Sequence, residues 1–431
     1  MKQERTGSNG AAAALHVRLT VWLCRIVVGA VFILSGWAKA IDPWGFLYKM
    51  EEYMAVWQLE LPREILLSAD VALSCIEFTT GVLIITGCLR RVAVWCSAAM
   101  MAVMLPLTVY IAVADPVSDC GCFGDMFVIS NTSTLIKNII LTAAIVWLIL
   151  RNTSVRGIYS RSLQWLVVAV SLAYPLYLAL YGYQIQPLVD FRPFKTGTSL
   201  KEHQSDETGQ PVYIYEKDGV RKEFPLNEMP DSTWTYVDAV DFGKDDSAIT
   251  VFDPESGDDL TDEVICTGNA QLLLVVTDPG VQFLSRAHYV NDLNRYLSGY
   301  GVEMLALVGT YGTGFERWRE LTNPDFEAYS VEDTTLKQLV RGDAAVVYLD
   351  KDGKILWKRT LHSLDANLPY LPVDASNALD AIEPSDSGRD LSVPTAIWAS
   401  VLLILYFLAI AIRRNSAKKS YLCKPNQNEL N

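Results

Sequence analysis

Two cysteines one glycine apart, Cys120-Gly121-Cys122, stand within the run Asp-Cys-Gly-Cys-Phe-Gly-Asp at 119–125. Thiols at that spacing can close a small, strained disulfide. Strain raises the reduction potential, so such a bond tends to exchange rather than persist. Gly121 and Gly124 permit the tight backbone this needs. The spacing also admits a structural disulfide that pins the loop, or a permanent bond from one of the two to Cys266. No histidine lies close by, which weighs against a metal centre. Of the remaining cysteines, Cys24, Cys88 and Cys96 fall in or near apolar segments and Cys423 in the C-terminal tail, where cysteine is usually an inert small hydrophobe or a reduced thiol.

A second set of chemically capable residues lies where charge is unwelcome. Arg25, Lys39, Asp70, Glu77 and Lys137 sit in or beside long apolar runs, and charges inside a bilayer usually line a functional interior. Asp70 and Glu77 are seven apart and share one helix face. Lys39 is expected to pair with Asp42 or Asp70, and Lys39 and Lys137 have the reach to snorkel toward headgroups. Glu77 lies roughly 16 Å from the outer end of its run, too deep to snorkel. It is therefore paired, protonated or part of a proton path. Lys137 would favour a thiolate at the cysteine pair, while Asp119 and Asp125 would oppose one.

These residues are positioned by a membrane architecture. The chain has 431 residues, 51% hydrophobic, with a net charge of −13. That charge, without any basic stripe, excludes a nucleic-acid partner. Apolar residues concentrate in six segments long enough to span a bilayer: about Val21–Ala40, Leu66–Gly87, Val92–Ala114, Leu135–Leu150, Leu163–Tyr183 and Pro394–Ile412. Backbone groups in lipid must bond internally, so these are helices. Four basic clusters alternate with them: Lys2, Arg5 and Arg18; Arg90 and Arg91; Arg151, Arg156 and Arg161; Arg413, Arg414, Lys418 and Lys419. With six spans all four fall on one side, the cytoplasm by the positive-inside rule. The Cys120 loop and residues 184–392 then lie outside. Ala38-Lys39-Ala40 mimics a signal-peptide cleavage site, but losing the first span would put the later loops on inconsistent sides. The aromatic stretch Trp44–Pro62 reads as an amphipathic segment at headgroup level.

In the soluble region, Pro211–Tyr215 and Val220–Leu226 flank a Lys217-Asp218-Gly219 turn and predict a hairpin. Thr233–Val240 and Ser247–Phe252 read as further strands. From Ala270 the order is strand (Leu272–Thr277), helix (Gln282–Leu297), strand (Val302–Val308), helices (Gly314–Leu321 and Thr334–Val340) and a hairpin (Ala344–Leu349 with Ile355–Lys358), an α/β layer pattern. Over about Gln271–Arg359 this order resembles a thioredoxin-like domain. The position where that family carries Cys-x-x-Cys reads Thr277-Asp278-Pro279-Gly280-Val281-Gln282, and no proline stands near Asp343-Ala344 where its cis-proline would fall. The resemblance therefore implies a degenerate copy, used for binding or support.

The membrane part carries a more specific likeness. It has Gly29-Ala30-Val31-Phe32-Ile33-Leu34-Ser35-Gly36 followed by Lys39 and Asp42-Pro43, and Glu77 with Gly81 and Gly87. Cys120-Gly121-Cys122-Phe123-Gly124 follows the third span, and Lys137-Asn138 opens the fourth. On these residues, 20–150 resemble the MauE/DoxX family of bacterial four-helix membrane proteins. MauE-type members are linked to methylamine utilisation and implicated in forming disulfides in methylamine dehydrogenase. DoxX-type members are linked to quinone-coupled thiol or sulfur oxidation.

The expected organisation is a cytoplasmic N-terminus (1–19), a four-helix MauE/DoxX-like bundle (20–150) and a fifth helix (163–183). A β-rich segment (184–268), a thioredoxin-like domain lacking Cys-x-x-Cys (269–362), a linker (363–392), a sixth helix (393–412) and a cytoplasmic tail (413–431) follow. The resemblance implies an inner-membrane protein exchanging disulfides through Cys120 and Cys122 with a periplasmic thiol protein. Lys39, Asp42, Asp70, Glu77 and Lys137 are its supporting polar residues, Gly121 and Gly124 its loop geometry, and a quinone its candidate acceptor. The rival reading is a non-enzymatic assembly factor or scaffold with a structural disulfide. A transporter is disfavoured because no internal repeat is evident. The topology makes a direct prediction. A membrane-impermeant thiol reagent applied to intact cells should label cysteines placed at Ser205 and Asp365 and leave Cys423 untouched. Labelling of Cys423 would overturn the six-span arrangement.

Overall fold

The computed structural model describes residues 2–117, 119–151, 157–200, 212–217, 220–225, 235–240, 249–265, 267–278, 286–309, 314–367, 369 and 387–422. Cys266, Cys423 and the segment 279–282 lie outside the described residues. In chain order the elements are α1 (Lys2–Ile41), α2 (Pro43–Val56), α3 (Arg63–Thr86), α4 (Arg90–Ala114), α5 (Asn131–Arg151), α6 (Gln164–Gln184), β1 (Val212–Lys217), β2 (Val220–Pro225), β3 (Thr235–Val240), β4 (Val251–Phe252), α7 (Thr261–Val264), β5 (Gln271–Val276), α8 (Ala287–Ser298), β6 (Glu303–Gly309), α9 (Gly314–Thr322), β7 (Ala328–Val331), α10 (Asp333–Leu339), β8 (Ala344–Leu349), β9 (Ile355–Thr360) and α11 (Ser387–Leu422). The chain divides into two compact units, one made of 1–183, 187–189 and 386–431, the other of 184–186 and 190–385.

Among the described residues, six helices are long and apolar enough to cross a membrane: Ala14–Ile41, Arg63–Thr86, Arg90–Ala114, Asn131–Arg151, Arg161–Gln184 and Leu391–Arg414. The spine of the first unit is a seam between α1 and α3 built on glycine. A Cβ on Gly36 would lie 2.5 Å from the Phe78 backbone nitrogen, and one on Gly81 would lie 2.6 Å from the Gly29 carbonyl oxygen. Apolar side chains gain nothing by leaving lipid for one another, so close backbone approach over small residues is what packs such helices. The last span packs on the others through polar and aromatic contacts. Trp398 stacks on Tyr174 at 5.2 Å, Tyr174 Oη and Thr395 Oγ1 are 2.7 Å apart, and Arg413 donates to the Gly157 and Ile158 carbonyls.

Short α2 begins with the Asp42 carboxylate accepting from the Gly45 amide at 2.9 Å and with Pro43 at the first helical position, where its missing N–H is harmless. The aromatics expected at headgroup level largely turn the other way. Trp44, Phe46 and Tyr53 are buried, because Trp44 stacks on Tyr183 at 5.2 Å and Tyr53 packs among Ile111, Val117 and Phe123. Trp57 alone of the large rings here is exposed.

The second unit contains a three-stranded antiparallel sheet, order β2-β1-β3, and a six-stranded mixed sheet, order β4-β7-β6-β5-β8-β9. Strands β5, β6 and β7 are parallel, while β8 and β9 run antiparallel to their neighbours. Every residue of β5 is buried. Leu273 and Val275 face one core and Leu272, Leu274 and Val276 the other, which explains why this strand reads as an unbroken apolar run. A parallel β-α-β unit joined edge to edge with a terminal hairpin is the thioredoxin-like arrangement. One strand goes beyond the sequence expectation, β7, whose Ala-Tyr-Ser-Val is too short and mixed to signal; it pairs with β4, the strand expected at Ser247–Phe252 and formed at Val251–Phe252.

Beneath this sheet Lys358 donates to Asp190 Oδ2 and to the Phe194 and Leu339 carbonyls. Arg192 grips both oxygens of Asp190 at 2.7 and 2.9 Å. Burial alone would raise the Asp190 carboxyl, but Arg192 and Lys358 outweigh it and hold that carboxyl well below the usual range. For Lys358 burial wins over Asp190, pushing the ammonium down to about 8. The stability Asp190 supplies is therefore complete above its unfolded value near 3.9 and is lost as pH falls below it. Lys358 adds stability only as pH rises beyond about 8. Asp190→Asn should destabilise the sheet by roughly 3 kcal/mol, as expected for breaking a buried pair and stranding its cations. Hydrogen exchange at β8 and β9 in the full chain reads this, and the variant's thermal midpoint should fall less between pH 5 and pH 3 than that of the parent.

Candidate functional site

The Cys120 loop is fixed at both ends before it carries any chemistry. Asn131, opening α5, donates to Asp115 Oδ1 at 2.7 Å and to the Val117 carbonyl at 2.9 Å. Within the loop the Gly121 amide donates to Asp119 Oδ2 at 2.8 Å, and the Gly124 amide to the Gly121 carbonyl at 3.1 Å. Gly121 has φ +68° and Gly124 φ +53°, the left-handed region where glycine carries no Cβ penalty. This turn brings the two sulfurs to 2.6 Å. Both are free thiols in this structure and stand in direct sulfur–sulfur contact. Of the three pairings the spacing admits, the one between Cys120 and Cys122 is the one the described residues bring together.

Directly under the pair lies a buried polar cluster contributed by α1 and α3. Lys39, fully buried, uses all three of its N–H donors: on Ser35 Oγ at 2.7 Å, Glu77 Oε2 at 2.8 Å and the Cys122 carbonyl at 2.9 Å. The Ser35 hydroxyl lies 2.9 Å from Glu77 Oε2 and 2.7 Å from the Cys122 carbonyl, and its single proton serves one or the other. The expected partner of Lys39 is thus corrected. It pairs with Glu77, while Asp42 caps α2 and neither oxygen of buried Asp70 has a hydrogen-bond partner. Asp42 and Asp70 lie nearer the outer end of their spans. The glycine seam sets Lys39 level with Glu77 instead, a rotation and depth that no short-range pattern reports. Lys39 does not snorkel. Lys137 lies over the Phe123 ring at 4.4 Å.

A cavity of about 30 Å³ opens beside Cys122, lined by Ser35, Glu77, Phe123, Lys137 and Asn138 with Met100, Met101 and Met104. It is large and polar enough for water. The hydrogen bond between the two sulfurs, which either can donate, splits their acidities; burial raises both thiols, and Lys137 and Lys39 oppose it at both.

Sequence reasoning alone does not single out four further contributors. Ser35 lies within a quoted motif without a role. Tyr53 donates to the Cys120 carbonyl at 3.2 Å. Lys49 bridges Asp119 at 2.7 Å and Glu52 at 2.8 Å. The methionines line the cavity. Their only sequence signal is helical spacing: Lys49 and Tyr53 stand one turn apart, as do Ser35 and Lys39. Cys75 is buried in α3, away from the cysteine pair in sequence and without an assigned contact to it. In the second unit, the Thr277 and Asp278 amides donate to the Asp343 carbonyl at 3.0 and 3.1 Å, lashing together the two loops that would carry thioredoxin chemistry.

Comparison with known proteins adds family context. Residues 17–151 match the family described as methylamine utilisation protein MauE, and 210–242 match a domain of unknown function. No curated protein matches the chain significantly. Similar solved structures include a thiol:disulfide interchange protein from Bacteroides sp., 15% identical, covering 26% of this chain and 75% of that one with TM-score 0.22. Another is a putative thiol:disulfide interchange protein DsbE from Chlorobium tepidum, 16% identical, covering 26% and 80% with TM-score 0.23. A third is the thioredoxin domain of a thiol-disulfide oxidoreductase from Bacteroides vulgatus, 15% identical, covering 31% and 91% with TM-score 0.24.

The loop geometry yields a test of its own. A Cβ on Gly121 would lie 2.7 Å from Lys49 Cγ in addition to the strain of positive φ. Gly121→Ala should cost about 1–2 kcal/mol for the left-handed backbone, plus the Lys49 clash. Adding Lys49→Ala should recover the clash and leave the strain, which thermal unfolding of the purified single and double variants measures.

Proposed function

We propose that this MauE-type membrane protein with a thioredoxin-like domain is a thiol–disulfide exchange protein of the bacterial inner membrane, working through Cys120 and Cys122 on the periplasmic side. The observation that carries this reading is the 2.6 Å sulfur pair seated on the buried Lys39–Glu77 ion pair. A disulfide that only pinned a loop would need no ionisable cluster inside the bilayer, where charge is costly. Closing the disulfide removes two electrons and two protons from the thiols. The electrons would pass to a membrane quinone or to another thiol protein. Ser35, Glu77 and the water-sized cavity beside Cys122 offer the protons a route. The thioredoxin-like domain lacks its own thiols among the described residues and would serve by docking the partner.

A second reading is supported by burial. Cys120 is 4% and Cys122 8% exposed, as in a scaffold or assembly factor with a locked disulfide. The redox state in growing cells separates the two: exchange requires a mixture of reduced and oxidised pair, a scaffold a uniformly oxidised one. Glu77→Gln then tests the proton route. It preserves size and hydrogen bonding but cannot carry a proton. Disulfide cycling of the folded variant should slow by roughly a hundredfold, the scale of general acid–base assistance, and its stability should fall by about 3 kcal/mol because buried Lys39 loses its counter-charge. Cycling at the parental rate in a folded variant would make Glu77 structural.

A further inference from the structure

The two cysteines of the pair do not face the same surroundings. Cys122 lines the cavity inside the bundle with Lys137, Ser35 and Glu77, and its carbonyl is held from below by Lys39. Cys120 is not among the residues lining that cavity. Both cysteines belong to the cluster of Tyr53, Ile111 and Val117, and it is the Cys120 carbonyl that accepts from Tyr53 Oη of α2. Over the turn between them lies the Lys49 stem, fixed by the Lys49–Asp119 ion pair at 2.7 Å. A space of about 30 Å³ admits water but no protein thiol. A macromolecular partner therefore has to meet the pair elsewhere than through that cavity, and Tyr53 and Lys49 of α2 are what lie against the Cys120 turn.

On the reading of this site as an exchange centre, we infer that the duties are divided: Cys120 forms the mixed disulfide with the partner, Cys122 is the thiolate released into the cavity beside Lys137, and α2 is the gate over Cys120. The step balances without any added oxidant. A partner thiolate attacks Cys120 Sγ, the Cys120–Cys122 bond breaks, and its electron pair leaves on Cys122 Sγ. A second partner thiolate then attacks the partner sulfur of the mixed disulfide. This yields the oxidised partner and a Cys120 thiolate that takes up a proton. Exchange is faster when the departing thiol is the more acidic one. Lys137, which lines the cavity beside Cys122 and not beside Cys120, favours the thiolate that departs there.

The experiment uses the full-length oxidised protein in detergent with reduced glutathione as the attacking thiol. The reaction is quenched by rapid alkylation and the adduct is assigned by tandem mass spectrometry. Glutathione should be found on Cys120 in about tenfold or greater excess over Cys122, as leaving-group acidity dictates. Lys49→Ala should speed adduct formation without changing its site. Lys137→Gln should slow it about tenfold, the equivalent of one pKa unit, and Lys137→Arg should restore it. Equal labelling, predominant labelling of Cys122, or no adduct even with Lys49→Ala would overturn the division of duties. These readouts are chemical and independent of cycling in cells. A pair that labels asymmetrically yet never cycles would refute the exchange function while leaving the asymmetry, and a cycling pair that labels on Cys122 would do the reverse.

Discussion

Everything at the cysteine site depends on one ion pair placed where ion pairs are expensive. Lys39 and Glu77 meet at 2.8 Å with side chains 0% and 7% exposed. In that setting a single charge without its partner is worse than no charges at all. The pair is tolerable because it is saturated. Lys39 has three acceptors for three donors, and one of them is the main chain of Cys122 itself. The glycine contacts of α1 on α3 are the precondition, since helices held apart by side chains would leave ammonium and carboxylate out of reach. The same cluster that satisfies these buried charges thus fixes the position of the cysteine turn.

Much of this was legible in the sequence, and the boundary is instructive. Six spans follow from hydropathy because lipid demands internally bonded backbone of a set length. The strands β5, β6, β8 and β9 and the helices between them follow from apolar periodicity, and the Cys-Gly-Cys turn announces itself by composition. What stayed hidden is whatever depends on how two helices are rotated against each other. Lys39 has acidic neighbours in Asp42, Asp70 and Glu77, and only the seam at Gly36 and Gly81 selects the last. The aromatic face of α2 failed to declare itself for a related reason. Trp44 and Tyr53 would suit a headgroup layer equally well, and only Tyr183 and the Cys120 loop draw them inward.

The thioredoxin-like unit shows a fold kept while its chemistry is absent from the described residues. At the loop ends Thr277 and Asp278 are tied to Asp343. The effort of the domain goes instead into its base, where Asp190, Arg192 and Lys358 satisfy one another and three backbone carbonyls. Such a network rigidifies a scaffold. The unit holds no cysteine among the described residues, whereas the close cysteine pair lies in the first unit.

The chain enters this unit from α6 and leaves it into α11, and those two helices are fastened to each other by Tyr174, Thr395 and Trp398. In polymer terms the whole segment 184–385 is a closed loop. An unfolded loop with pinned ends has fewer conformations than a free chain, by on the order of 5 kcal/mol for a loop of this size. The last membrane helix therefore acts on the soluble unit as a cross-link does. It strengthens a fold it need not touch, by impoverishing the disordered states that compete with it.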